Sequence, residues 1–261
     1  MSWENQAEKL EEKKEEVKIE FKSLKDAEVK RGIKILSYGN FSTGKTHFAL
    51  SSPQPIYIID TENGASPLAN KFPDAKVLNI SAMDNNNVEE KDEVANFEKF
   101  QEVVDYLCSL KDEEVGTIVV DSISDIWEWA QAYGKVKVFK IAVEDRLKQQ
   151  WDWGTINKLY LKPLKKLINK NCNLVLTARE SETYEGAGKP SGRFEPKCQK
   201  KTPYWVDVAL YHEIKFINKQ VMFQAKIEKC RQNGSILGKI IENPTLEKLK
   251  EMMKGGTQNG N

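Results

Sequence analysis

The sequence predicts an α/β domain with a mostly parallel central sheet flanked by helices and a C-terminal β-hairpin extension. Three observations predict it. Short apolar runs alternate with stretches of helical periodicity. The runs lack the polar alternation of a half-exposed strand, as expected where helices cover both faces. The first run also passes into a helix through a glycine-rich turn, a strand–loop–helix unit.

Residues 33–38 form the first strand, 39–44 the turn, and 46–50 the start of the first helix. Residues 56–59, closed by Asp60, make a second strand, and 77–80 a weaker third. The polar stretch 84–92 reads as a loop. Val94, Phe97, Val104 and Leu107 then recur at helical spacing. Residues 117–120 are a buried strand ending at Asp121, and 125–170 are helical in character, with breaks expected at Gly134 and Gly154. Residues 174–176 are a strand again. Six Gly and Pro between Gly186 and Pro203 make 180–202 a structureless loop. Residues 206–217 and 220–227 are two strands joined at Asn218 and Lys219, a hairpin. A short helix over 244–253 closes the domain, with Asn243 as its cap and Pro244 at its first position.

Composition narrows the functional classes. The 261 residues are 39% hydrophobic, enough for a core, so wholesale disorder is excluded. Forty Lys and Arg against 39 Asp and Glu leave a net charge of +1, so any nucleic-acid surface must be local. No 18-residue apolar run exists, and no membrane partner is expected. The first twenty residues are crowded with Glu and Lys where a secretory signal needs an apolar core. Four cysteines without a CxxC pair, and two histidines, disfavour zinc or disulfides. A cytoplasmic location is expected. Residues 1–30, with nine acids and seven lysines, form a separate charged arm, either solvated or a subunit-docking element. The main domain then spans 31–254, and 255–261 is a flexible tail.

The chemistry begins with Gly39, Asn40, Phe41, Ser42, Thr43, Gly44, Lys45 and Thr46, which satisfy GxxxxGK[ST]. The glycines let backbone amides wrap around phosphate oxygens, and the helix that follows turns its positive end toward them. Lys45 reaches the β- and γ-phosphates of ATP, and Thr46 offers a hydroxyl to Mg²⁺. His47 completes the nucleotide-binding set. Asp121, at a strand's carboxyl end, is the metal-side carboxylate, its alternative role being a cap for the next helix. Hydrolysis also needs a group that polarises water, and Ser122 after Asp121 is not one. Strand carboxyl ends open on one crevice in a parallel sheet, so Glu62 can face the γ-phosphate. Its alternative is a surface turn residue. Thr177 or Arg179, on a further strand end, could sense the same phosphate.

These four strand ends together resemble the RecA-like ATPase core. The chain looks closest to the short phage- and virus-type RecA-like recombinases, often grouped as phage nucleotide-binding proteins, over residues 30–243. The tract 151–157, followed by a Lys-rich helix, resembles that group too. The resemblance implies Glu62 as the catalytic glutamate. It implies self-association with ATP at the subunit interface, where Lys229 and Arg231 would reach a neighbour's nucleotide. It also puts a loop touching single-stranded DNA at 180–202. Thr177-Ala178-Arg179 stands where RecA carries a Gln, a departure that bears on any relay from ATP to DNA.

Local charge leaves two readings of this stretch, a DNA contact or a plain mobile loop. Lys189, Arg193, Lys197, Lys200 and Lys201 accompany one acid between 189 and 201, with Tyr184 and Phe194 available for stacking. Lys158, Lys162, Lys165 and Lys166 share one face of a helix, as a phosphate-tracking stripe or a solvated face. Trp127, Trp129, Trp151 and Trp153 offer stacking surfaces or core contacts. The leading expectation is a DNA-stimulated ATPase acting on single-stranded DNA in recombination, annealing or replication of a phage, virus or mobile element. The alternatives are a nucleotide-switch ATPase acting on a protein, and a small-molecule kinase.

Overall fold

The computed structural model describes residues 32–80 and 90–255. The charged arm, the tail beyond Gly255 and most of the 84–92 loop lie outside the described residues.

Within them, nine strands form a sheet: β1 (Lys34–Gly39), β2 (Ile56–Asp60), β3 (Lys76–Asn79), β4 (Thr117–Asp121), β5 (Asn173–Glu185), β6 (Lys189–Pro196), β7 (Val208–Ile217), β8 (Gln220–Cys230) and β9 (Ile240–Glu242). The order is β3-β2-β4-β5-β1-β7-β8-β9, with β6 paired to β5 alone. From β3 to β7 every pairing is parallel, whereas β8, β9 and β6 run antiparallel to their neighbours. β5 therefore separates the strand that leads into the glycine-rich turn from the strand that ends at Asp121.

Helices cover both faces. On one lie α2 (Glu90–Ser109), α3 (Ile123–Tyr133) and α4 (Asp152–Asn169). Phe97, Phe100, Ile126, Tyr160 and Leu164 pack there against Leu36, Ile59, Ile118, Val120, Leu174 and Leu176. On the other lie α1 (Lys45–Leu50) and α6 (Leu246–Gly255), whose Phe48, Leu246 and Leu249 pack against Ile35, Ile58, Val119 and Val175. Consecutive strand residues thus enter opposite cores, which is why the strands read as continuous apolar runs.

Four expectations are corrected. Residues 180–202 are not a structureless loop. β5 runs on to Glu185, turns through Gly186–Gly188, and pairs with β6 as a hairpin. Both faces of this hairpin are largely exposed, so it has no apolar pattern to read, and its prolines sit on an edge strand that tolerates them. A short helix, α5 (Thr202–Trp205), follows. Gly134 does not break the chain but opens a π-helical turn over Gly134–Phe139. A Cβ there would lie 2.7 Å from Ile156 Cγ1, so the glycine lets α4 pack closely. Gly154 lies inside the first turn of α4. The last helix is capped by Thr245, whose hydroxyl accepts the Lys248 amide at 3.3 Å. Asn243 instead adopts a left-handed conformation and donates its amide to the Phe223 carbonyl.

Candidate nucleotide site

The carboxyl ends of β1, β2, β4 and β5 open on one crevice of about 1110 Å³. β1 delivers the glycine-rich turn. A Cβ on Gly39 would meet the His212 carbonyl oxygen at 2.3 Å, so this strand end accepts only glycine. Gly44 has φ 86 and precedes α1, and Ser42, at φ 57, holds a left-handed conformation without being glycine. Strain of that kind is retained where the surrounding fold over-determines it. Thr43 Oγ1 donates to the Asn40 carbonyl at 2.8 Å. Lys45 Nζ donates to the Gly39 and Asn40 carbonyls at 3.1 and 2.6 Å, across the mouth of its own loop. Burial pulls its pKa down, with Asp121 and Glu62 opposing.

Beneath the loop, Ser37 Oγ and His212 Nε2 are 2.9 Å apart. His212 is fully buried, edge-on to Phe48, and burial pushes its pKa down to about 3. It is a neutral prop.

Asp121 ends β4. Its Oδ2 accepts from Thr46 Oγ1 at 2.7 Å, and its Oδ1 accepts from Thr177. Burial raises this carboxyl's pKa, with the two hydroxyls opposing. The Asp121–Ser122 peptide bond is cis. Buried Asp60, at the end of β2, accepts the amides of Glu62, Gly64 and Ala65 at 3.1, 3.2 and 2.9 Å. That turn projects Glu62 into the crevice, where Oε1 lies 3.1 Å from Arg179 Nε and accepts from Ser122 Oγ at 3.3 Å.

The crevice continues past the loop between Pro67, Leu68 and Lys71 on one side and Phe223, Pro244, Thr245 and Lys248 on the other. His47 lines it and packs edge-on to Phe72, its pKa lowered by burial and by Lys71.

The structure thus brings together all eight residues of the glycine-rich motif, His47, Glu62, Asp121, Thr177 and Arg179. It does not bring Lys229 and Arg231 to this crevice. β8 runs antiparallel to β7, and Lys229 pairs with Ala209 at the edge where β7 begins. Lys229 Nζ donates to the Pro203 and Val206 carbonyls at 2.6 and 2.8 Å, and Arg231 pairs with Asp207 and the Tyr204 carbonyl.

The five basic residues read as a DNA loop are spread along the hairpin and its exit. Lys189 and Arg193 are exposed on β6. Lys197 pairs with Glu128 at 2.6 Å, and Lys200 and Lys201 are exposed before α5. On the helix stripe, Lys166 pairs with Asp105, and Lys165 lies 4.9 Å from the centre of the Trp205 ring.

Sequence reasoning missed Ser37, His212, Asp125 and the Phe223–Thr245 wall. Asp125 had a signal, an acid one turn after Asp121. The others are ordinary residues made functional by topology.

A model of the protein family described as AAA domain matches residues 31–230. The chain belongs to that AAA-domain family. It is an AAA-type P-loop ATPase, and the glycine-rich crevice falls within the matched span. The match does not extend to the phage recombinases that the motifs resemble. Among solved structures, the AAA domain is similar to a KaiC-like protein from the hyperthermophilic archaeon Pyrococcus horikoshii OT3. That pair shares 16% identity, with a TM-score of 0.45 over 81% of this chain and 84% of that one. It is also similar to the RadB recombinase, at 14% identity and a TM-score of 0.48, over 81% and 86%. No curated protein matches the sequence. Among the described residues no helix is long and apolar enough to cross a membrane.

Proposed function

We propose that this AAA domain binds Mg²⁺-ATP at Gly39–Thr46 and hydrolyses it, with Glu62 as the general base. The observation that carries the reading is the convergence of Lys45 and Thr46, Asp121, and Glu62, from three separate segments, on one crevice.

A metal fits the oxygens present. Thr46 and Asp121 offer a hydroxyl and a carboxylate already in contact, a hard-donor pair. The described residues hold no cluster of three or more His, Cys, Asp or Glu that would cage an ion. An ion here would fill its shell with phosphate oxygens and water, the habit of Mg²⁺. When bound, it would neutralise charge on the phosphates.

The chain's own groups do the rest. Lys45 exchanges the Gly39 and Asn40 carbonyls for β- and γ-phosphate oxygens, a stronger, charge-assisted interaction. Glu62 takes a proton from the attacking water. The new O–P bond forms at the γ-phosphorus as the bond to the β-phosphate oxygen breaks, giving ADP and phosphate. Lys45→Ala tests the assignment, because it removes the cation aimed at those phosphates. Hydrolysis should be abolished and ATP binding much weakened in calorimetry, and normal turnover would refute the site.

A second reading, action on single-stranded DNA, draws support from exposed Lys189, Arg193, Lys200, Lys201 and Tyr184 around the hairpin. Against it, β5 sets Glu185 directly opposite Lys189, and Glu180 and Glu182 add negative charge along the same hairpin, opposite Pro196 and Phe194. A neighbour's Lys229 or Arg231 acting on this nucleotide belongs to the same reading. ATPase rate measured with and without single-stranded DNA separates it from a nucleotide switch acting on a protein.

A further inference from the structure

We propose that Arg179, anchored by Asp125, is the positioning residue that orients Glu62 for water attack. The inference rests on the hydrolytic reading of the crevice and adds two residues to it.

A carboxylate on a turn at a strand end has several rotamers, and a general base is effective only in the one that faces its water. Glu62 is about half exposed, with 46% of its side chain accessible, so packing does not fix it. Its neighbours do. Arg179 Nε stands 3.1 Å from Glu62 Oε1, in a contact that is an ion pair and not an aligned hydrogen bond. Ser122 Oγ donates to the same oxygen at 3.3 Å. The other carboxylate oxygen is left for water.

Arg179 is itself held. One terminal nitrogen pairs with Asp125, on the first turn of α3. The Arg179 amide donates to Ser124 Oγ at 3.0 Å, and its carbonyl accepts the Lys197 amide at 2.7 Å. Asp125 Oδ2 lies 2.5 Å from Thr61 Oγ1 and accepts from Ser122 Oγ at 2.9 Å. Asp125 is thus pinned by Thr61 and Ser122, the residues just past the ends of β2 and β4, and the planar guanidinium spans the gap from it to Glu62. A base oriented by a second group, itself oriented by a third, is the arrangement that preorganised sites use. Arginine suits this bridge, because its planar guanidinium spreads charge and donors over two sites in fixed geometry, whereas a lysine ammonium is a compact charge on a flexible stem.

Steady-state ATPase assays and calorimetry on the full chain test this. Arg179→Ala should lower kcat by about 10²-fold, the cost of a misplaced reacting group. KM for ATP, and the ratio of ATP to ADP affinity, should stay unchanged. Arg179→Lys should not rescue. In a Glu62→Gln background Arg179→Ala should cost nothing more, since both changes remove one function. Arg179→Gln, which keeps most of the bulk, should give the same result should the alanine variant fail to fold. Unimpaired kcat, additive losses, or a selective loss of ATP over ADP affinity would each overturn the proposal, the last by making Arg179 a direct phosphate ligand. Lys45→Ala is the control. If it is inactive while Arg179→Ala turns over normally, only the positioning role falls, and if Lys45→Ala is active the site itself falls.

Discussion

Glu62 illustrates how a residue's role follows from the atoms around it. Asp60 fixes its backbone, Arg179 and Ser122 fix its carboxylate, and Asp121 stays close to Thr46 and Thr177. In the proposed mechanism Glu62 acts only as water is deprotonated. Glu62→Gln should therefore keep ATP affinity and lose turnover by about 10²-fold or more, measured by calorimetry and phosphate release. His212 makes a second residue-scale prediction. Its pKa is pushed to about 3 in the folded chain, against an ordinary value near 6.5, so the unfolded chain binds the proton first as pH falls. The stability of a neutral His212 is fully present above about pH 6.5 and is lost on acidification toward pH 3. At pH 4.5 the loss is about 3 kcal/mol relative to pH 7. Urea midpoints at these two pH values should fall further apart for the parent than for His212→Asn.

At the scale of elements, the hairpin β5–β6 decides the DNA reading. If it contacts phosphates, neutralising Lys189, Arg193, Lys200 and Lys201 together should reduce the slope of log affinity against log salt by about three, at roughly 0.7 per phosphate. An unchanged slope would remove the hairpin and its exit from any such surface. The hairpin also shows what a sequence conceals. The strands of the parallel sheet were legible because each is buried on both faces and so apolar throughout, as Ile118, Val119 and Val120 are. The glycine-rich turn was legible because its residues are chosen by backbone geometry. Residues 180–196 form strands solvated on both sides, with glycine and proline at positions an edge strand tolerates, and nothing in that composition separates them from a loop. Lys34 is the converse case. It looks like a polar interruption, yet it is fully buried, donating to the Lys170 and Cys172 carbonyls just beyond α4. Such a partner, far away in sequence, leaves no local trace.

At the scale of the whole molecule, the sheet is the device that assembles the site. Parallel strands put their carboxyl ends on one side, so Gly39, Asp60, Asp121 and Arg179, distant in sequence, meet at a single edge. Alternation along each strand then divides the labour. Asp121 and Thr177 lie on the face that carries α1, where Asp121 meets both Thr177 and Thr46, while the residues beside them, Val120 and Leu176, enter the opposite core. The fold and the phosphate site were therefore readable together, since one pattern encodes both. The pairing of Arg179 with Glu62 and Asp125 was not, because Arg179 reads in the sequence as a phosphate sensor and meets the two carboxylates only when β5 and α3 are packed side by side.

The central claim is that this crevice hydrolyses ATP. The most direct test is phosphate release from Mg²⁺-ATP by the purified full chain, parent and Lys45→Ala side by side. Steady turnover is expected in the parent and none above background in the variant. Equal turnover in both, or none in the parent with and without single-stranded DNA, would contradict it.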